Sequence, residues 1–182
     1  MTVAEVSLFL ALLAVAAEVT VVAAIVLWAA SRRSPSLSDA AGDAADAVGA
    51  VALPLAFAVA AISMAGSLYF SEVAHFTPCR LCWYQRICMY PLVVLLGVAA
   101  WRRDYNIRFY AASLASIGAV ISAYHILLER YPSLESSVCD PANPCTLIWV
   151  KRLGYLTIPT MALSGFALIL TLLALARPAS DE

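Results

Sequence analysis

Residues 47–71, 109–128 and 153–176 contain no charged side chain. Residues 87–101 are also uncharged and extend backwards through Trp83 and Tyr84, and residues 6–31 are interrupted only by Glu18. Crossing a bilayer as a helix takes about 20 mostly apolar residues. An open strand cannot cross, because hydrocarbon offers its backbone no hydrogen-bond partners. The pattern predicts five helices, at roughly 6–30, 49–70, 83–101, 108–128 and 156–176. Any one alone would fit a buried helix of a soluble domain. Five in 182 residues, 63% of them hydrophobic and 13% charged, leave no soluble body to bury them. The expected class is an all-α integral membrane protein.

Arginines set the expected orientation. Arg32 and Arg33 follow the first span, Arg102, Arg103 and Arg108 the third, and Arg177 the fifth. By the positive-inside rule these loops are cytoplasmic, which leaves 71–82 and 129–155 outside. Arg130, Lys151 and Arg152 run against the rule, within the longest loop. The first span has no basic residue in Met1–Glu5 and is too long for a signal core, so it reads as a membrane helix. The expected organisation is an N-terminal helix (1–33), a polar cytoplasmic linker (34–47), a four-helix domain (48–177) and a cytoplasmic tail (178–182). Glu18 is costly in lipid and should face another helix or a partner. The net charge of −1 gives no pointer to nucleic acid, and no basic tract, repeat or Gly-rich phosphate loop occurs. No nucleic-acid partner is expected.

The chemistry lies in five cysteines. Cys79 and Cys82 form a CxxC, Cys139 and Cys145 are six residues apart, and Cys88 is left over. Both pairs fall in the loops expected outside. Thr77 and Pro78 suit the cap and first turn of a helix, which would put the CxxC at a helix N-terminus, where the dipole favours thiolate. The i, i+3 spacing places both sulfurs on one face. Arg86 lies one turn beyond Cys82. It is either a snorkelling side chain or a fixed cation beside a thiolate or an anionic acceptor. Cys139 and Cys145 enclose two prolines, and are either a structural staple or an exchange-competent disulfide. Outward-facing cysteines favour disulfides over zinc. Cys88 reads as a small core residue and His75 as a loop residue. His125 is either a functional group at membrane depth or a hydrogen-bonded interfacial imidazole; facing Arg86, it would help hold one planar acceptor.

The run Cys79-Arg-Leu-Cys-Trp-Tyr-Gln-Arg86, a CxLCxYxR pattern, resembles the disulfide bond formation protein B (DsbB) family. Trp83 to Leu92 looks most like its Gram-positive, BdbC-like branch. His125 to Ser133 resembles the stretch before the family's second cysteine pair, and Gly154 to Pro159 the start of its last helix. The resemblance covers about residues 50–176 and leaves the first helix outside. It implies a four-helix transmembrane bundle, here with one extra N-terminal helix, in the bacterial cell (inner) membrane. It implies a quinone-dependent thiol oxidase that reoxidises a DsbA-like, thioredoxin-fold protein and passes electrons to ubiquinone or menaquinone. By position, Cys79 and Cys82 would be the quinone-coupled pair, with Cys82 nearest the quinone. Arg86 and His125 would contact the quinone. Cys139 would form the mixed disulfide with the partner, and Cys145 would resolve it. The second pair is closer in sequence than in the best-known members. The competing readings are a scaffold with two structural disulfides and a transporter or metal-binding membrane protein. A vitamin K epoxide reductase-like bundle would carry its CxxC late, whereas here it opens the second family helix.

Overall fold

The structure is a computed structural model and describes residues 2–33, 35–135 and 139–177. The tail expected at 178–182 lies outside the described residues. Helix α1 spans Val3–Ser31, α2 Pro35–Gly49, α3 Ala52–Leu68, α4 Arg80–Arg102, α5 Arg108–Arg130 and α6 Ile158–Leu175. α3 continues as a π-helical turn over Tyr69–Val73. A two-residue hairpin, β1 (Lys151–Arg152) with β2 (Leu156–Thr157), leads into α6. Among the described residues five helices are long and apolar enough to cross a membrane: all but α2. The all-α membrane fold expected from the charge pattern is therefore present.

α3, α4, α5 and α6 pack as a bundle, with α1 against the outside of α6. Lipid is as apolar as leucine, so close packing rather than escape from water holds such helices together. The sequence provides for it with small residues at the crossings. Ala52, Ala56 and Ala60 are fully buried along one face of α3. On α5, Gly118 accepts the Phe166 ring of α6 so closely that a Cβ would overlap it. Leu53, Leu92, Leu96 and Ile169 fill the space around them, and Cys88 lies in this core as expected. Trp101, Phe109 and Tyr110 point outward, as suits a lipid-facing surface.

The segment 34–47, read as a linker, is mostly helical. Five alanines within α2 favour helix, and it packs on α1 and α6. Asp46 pairs with Arg177 at 2.8 Å, which ties α2 to the end of α6. Glu18 faces α6: its carboxylate accepts from the Tyr155 hydroxyl at 2.6 Å and the Ser164 hydroxyl at 2.9 Å.

Candidate functional site

Helix α4 opens two residues later than Thr77 and Pro78 led one to expect. Cys79 itself is the N-cap, with φ −69° and ψ 172°, and its Sγ accepts the Cys82 backbone N–H at 3.4 Å. The sulfur thus does what a capping oxygen usually does. It sits directly on the positive end of the helix, where negative charge is favoured. The two sulfurs lie 3.0 Å apart, and since Cys79 is the more acidic thiol its sulfur accepts from the Cys82 thiol. That hydrogen bond, with further help from His125 and the Cys82 backbone and against burial, holds the Cys79 thiol down to about 4 from its usual 9.0.

The second pair is closed as a disulfide, Cys139–Cys145, with Cα atoms 5.8 Å apart. Three polar contacts seat its loop. The Glu135 carboxylate accepts the Cys145 N–H at 2.7 Å and the Thr146 hydroxyl at 3.4 Å. The Asn143 amide donates to the Pro78 carbonyl at 3.0 Å, tying this loop to the residue before Cys79. Cys79, Cys139 and Cys145 share one buried cluster with Leu81 and Leu128, with Cys82 packed against it.

His125 stands between the pairs. Its Nε2 lies 2.9 Å from the Cys145 carbonyl and 3.7 Å from Cys79 Sγ. A carbonyl oxygen can only accept, so Nε2 carries the proton. Nδ1 then accepts from the Gln85 side-chain amide at 3.3 Å. Gln85 is itself buried. By turning its amide over it can meet Nδ1 whether that nitrogen is bare or protonated. The donor atoms of Cys79, Cys82 and His125 all lie within 4.8 Å of one another. They are three ligands where a structural zinc site uses four, and Nε2 is already turned to a carbonyl.

Beyond Cys82 lies a partly open cavity of about 320 Å³, lined by α1, α3, α4 and α6 and by Phe70, Phe76 and Trp149. Its walls are mainly apolar, with Cys82, Gln85 and Arg86 on the α4 side. Arg86 Nε donates to Ser67 Oγ at 3.0 Å, and an Nη donates to the Ser67 carbonyl at 2.9 Å. The Tyr90 hydroxyl braces Ser67 Oγ at 3.2 Å. Two of three guanidinium nitrogens are thus anchored, and the plane of the cation is set at the cavity wall. Phe70, Phe76 and Trp149 form a stacked aromatic edge, with ring centroids 5.8 and 4.8 Å apart.

Cys79, Cys82, Cys139, Cys145, Arg86 and His125 are therefore at one end of the bundle, while Cys88 lies in its core. Arg86 and His125 do not converge: Arg86 lines the cavity, while His125 is turned away to the cysteine pairs. Gln85, three residues after Cys82, occupies the helix face between them. Sequence reasoning missed Gln85, Ser67, Asn143 and Glu135. An amide inside an apolar span was a usable signal for Gln85. Nothing in the sequence set the others apart from ordinary polar residues. His75 is in the loop after α3, with φ 55°.

A membrane bundle with two cysteine pairs and a histidine gathered at one end is built for thiol–disulfide exchange. Consistent with this, the family model described as "Disulfide bond formation protein DsbB" matches residues 50–176, and the chain belongs to that family. Disulfide bond formation protein C of Bacillus subtilis (strain 168) is 42% identical over 133 residues, spanning 72% of this chain and 96% of that protein. Probable disulfide formation protein C 1 of Bacillus anthracis is 45% identical over 120 residues, 65% of this chain and 86% of that protein. The SPbeta prophage-derived disulfide bond formation protein B of Bacillus subtilis (strain 168) is 44% identical over 104 residues, 57% of this chain and 70% of that protein. No solved structure matches. The chain is a multi-pass membrane oxidoreductase with a role in disulfide bond formation. The match begins after α1 and α2.

Proposed function

We propose that the protein is a quinone-dependent thiol oxidase. It reoxidises a DsbA-like, thioredoxin-fold protein outside the bacterial cell membrane and passes the electrons to ubiquinone or menaquinone. One observation carries the reading: Cys82 and Arg86 stand on the wall of an apolar cavity between helices, while the same CxxC shares a buried cluster with the loop disulfide. One pair alone could not serve both a water-borne dithiol and a lipid-phase acceptor. The proposed sidedness rests on the positive-inside rule applied to Arg32, Arg33, Arg102, Arg103, Arg108 and Arg177. Arg108 donates to the Ala176 carbonyl and Arg177 pairs with Asp46 of α2, at the end away from the cysteines, while Arg80, Arg130, Lys151 and Arg152 lie at the cysteine end.

The exchanges balance as follows. A partner thiolate attacks Cys139 Sγ, and Cys145 leaves as thiolate. The partner's second thiolate displaces Cys139, so the partner departs oxidised and both loop cysteines are reduced. These reduce a Cys79–Cys82 disulfide by the same two displacements and close again. The free Cys79 and Cys82 beside a closed Cys139–Cys145 match the state so reached. Cys79 then holds the negative charge on the helix end, and the Cys82 proton has the Cys79 sulfur as its acceptor. His125 Nε2–H braces the Cys145 carbonyl and Cys79, which keeps the two pairs in register.

The cavity fits a quinone. Its volume is at the small end of ligand pockets, about 300–1,000 Å³, its walls are apolar, and Arg86 supplies an oriented donor for a carbonyl oxygen. A quinone held there supplies the acceptor for two electrons. The test is stopped-flow absorbance of purified protein with quinone after adding a reduced DsbA-like protein. Wild type should reduce quinone catalytically, and Cys82→Ser and Cys139→Ser should not. No quinone reduction in wild type, with both disulfides surviving the challenge, would leave a structural scaffold.

A further inference from the structure

We infer that α1, which lies outside the family match, is the outer wall of the acceptor cavity and sets how tightly the site holds a quinone. This rests on the quinone-dependent activity proposed above. Leu10, Leu13, Ala14, Ala17 and Thr20 of α1 line the cavity that Cys82 and Arg86 line from α4. α1 packs along α6 and comes against α3 where Leu10 lies on Gly66. A Cβ on Gly66 would stand 2.7 Å from Leu10 Cδ1, so the Leu10 side chain of α1 rests directly on the α3 backbone at the cavity.

Two polar locks fix α1 along its axis. Glu18, half-way along the span, accepts from Tyr155 at 2.6 Å and from Ser164 at 2.9 Å. Near the helix start, Arg152 Nε donates to Ser7 Oγ at 3.0 Å and an Arg152 Nη donates to the Ala4 carbonyl at 3.2 Å. A carboxylate in an apolar span is costly unless it is partnered. Holding a packing helix against lipid alone does not call for one. What the locks do is set register: a slip of one residue turns a helix by about 100° and would remove Ala14 and Ala17 from the cavity. The opposite face of α1 carries Val19, Val22 and Val26, exposed as expected for lipid contact. The two faces thus have separate tasks, and the small residues are on the cavity side.

The test is equilibrium binding rather than turnover. Decylubiquinone or menadione is titrated into the full-length protein in detergent, and quenching of tryptophan fluorescence is followed, since Trp149 lies on the cavity wall. Ala14→Phe, which fills the cavity from α1, should weaken binding roughly tenfold or more. Leu13→Ala, which thins the same wall, should weaken it several-fold. Val22→Phe, on the lipid face of the same helix, should bind as wild type. Circular dichroism checks folding, and if Ala14→Phe does not fold, Leu13→Ala decides. Wild-type binding with unchanged affinity in Ala14→Phe and Leu13→Ala, or equal losses in Val22→Phe, overturns the role of α1 alone. No saturable quenching in wild type by either quinone overturns this role together with the quinone reading beneath it.

Discussion

The two cysteine pairs are four sulfurs of the same element in two different mechanical settings. Cys79 and Cys82 are carried by a helix end and are three residues apart, so the helix itself decides their separation and charge. Cys139 and Cys145 are carried by a loop, and contacts with the rest of the molecule decide their position: Glu135 on the Cys145 N–H, His125 on the Cys145 carbonyl, and the loop's own Asn143 on Pro78. A helix-borne pair keeps its geometry while charge moves through it. A loop-borne pair can present one sulfur to a visiting protein. The division matches the two partners proposed, one in the membrane and one in water.

The sharpest break between the pairs comes from trapping. Cys145→Ser, given an oxidised DsbA-like protein, should accumulate a mixed disulfide as the Cys139 thiolate opens the partner's disulfide and expels one partner thiolate, seen on non-reducing gels, whereas Cys139→Ser should give none. A complex formed equally by both variants would contradict the assigned order of attack.

Next is the bridge. His125→Ala removes the group that touches both pairs and leaves Gln85 and the Cys145 carbonyl without it. Exchange between the pairs should slow by roughly 100-fold, measured by rapid acid quench and thiol counting. The variant also tests the charge on Cys79. A thiol lowered from 9.0 to about 4 is thiolate at neutral pH, and its ultraviolet absorbance should vanish only as pH falls through about 4. The sign follows from the lowered value: the stability contributed to the reduced protein is complete above the ordinary thiol range and lost as pH falls towards 4. His125→Ala should raise the midpoint. Cys82→Ala should raise it further, because the Cys82 hydrogen bond is the larger cause.

Arg86→Lys keeps the charge but not the planar fork anchored on Ser67. The KM for quinone should rise about tenfold, a loss of about 1.4 kcal/mol, with thiol exchange at the loop pair unaffected. An equal effect on both half-reactions would mean that Arg86 supports the fold rather than the acceptor site.

The smallest effect on activity is expected from the packing that underlies both pairs, where the change is in stability. Gly118→Ala puts a Cβ into the Phe166 ring and should destabilise the bundle by about 1–3 kcal/mol. Thermal unfolding in detergent should shift down, while a quinone-loaded sample should recover part of the loss.

Membrane helices were legible because the bilayer demands long uncharged runs, and the sequence states those directly. The CxxC, the loop cysteines and Arg86 were legible because their chemistry is rare in such a chain. The capping role of Cys79 was displaced to Thr77 and Pro78, since sulfur is not among the usual caps and only the φ, ψ of residue 79 reveals it. The helix in 35–49 was hidden by a polar composition, although its alanines favour helix once α1 and α6 offer a surface. Glu18 announced that it needed a partner, but Tyr155 and Ser164 are 137 and 146 residues away, and only folding could name them.

By itself, then, the sequence determined the number of spans, the positions of the sulfurs and the kind of chemistry, because each depends on local composition and short spacing. The tertiary structure alone decided that His125 contacts the cysteine pairs rather than Arg86, that Ser67 orients the guanidinium, and that α1 lines the cavity. These depend on which helix faces meet, and side-chain packing between distant segments settles that.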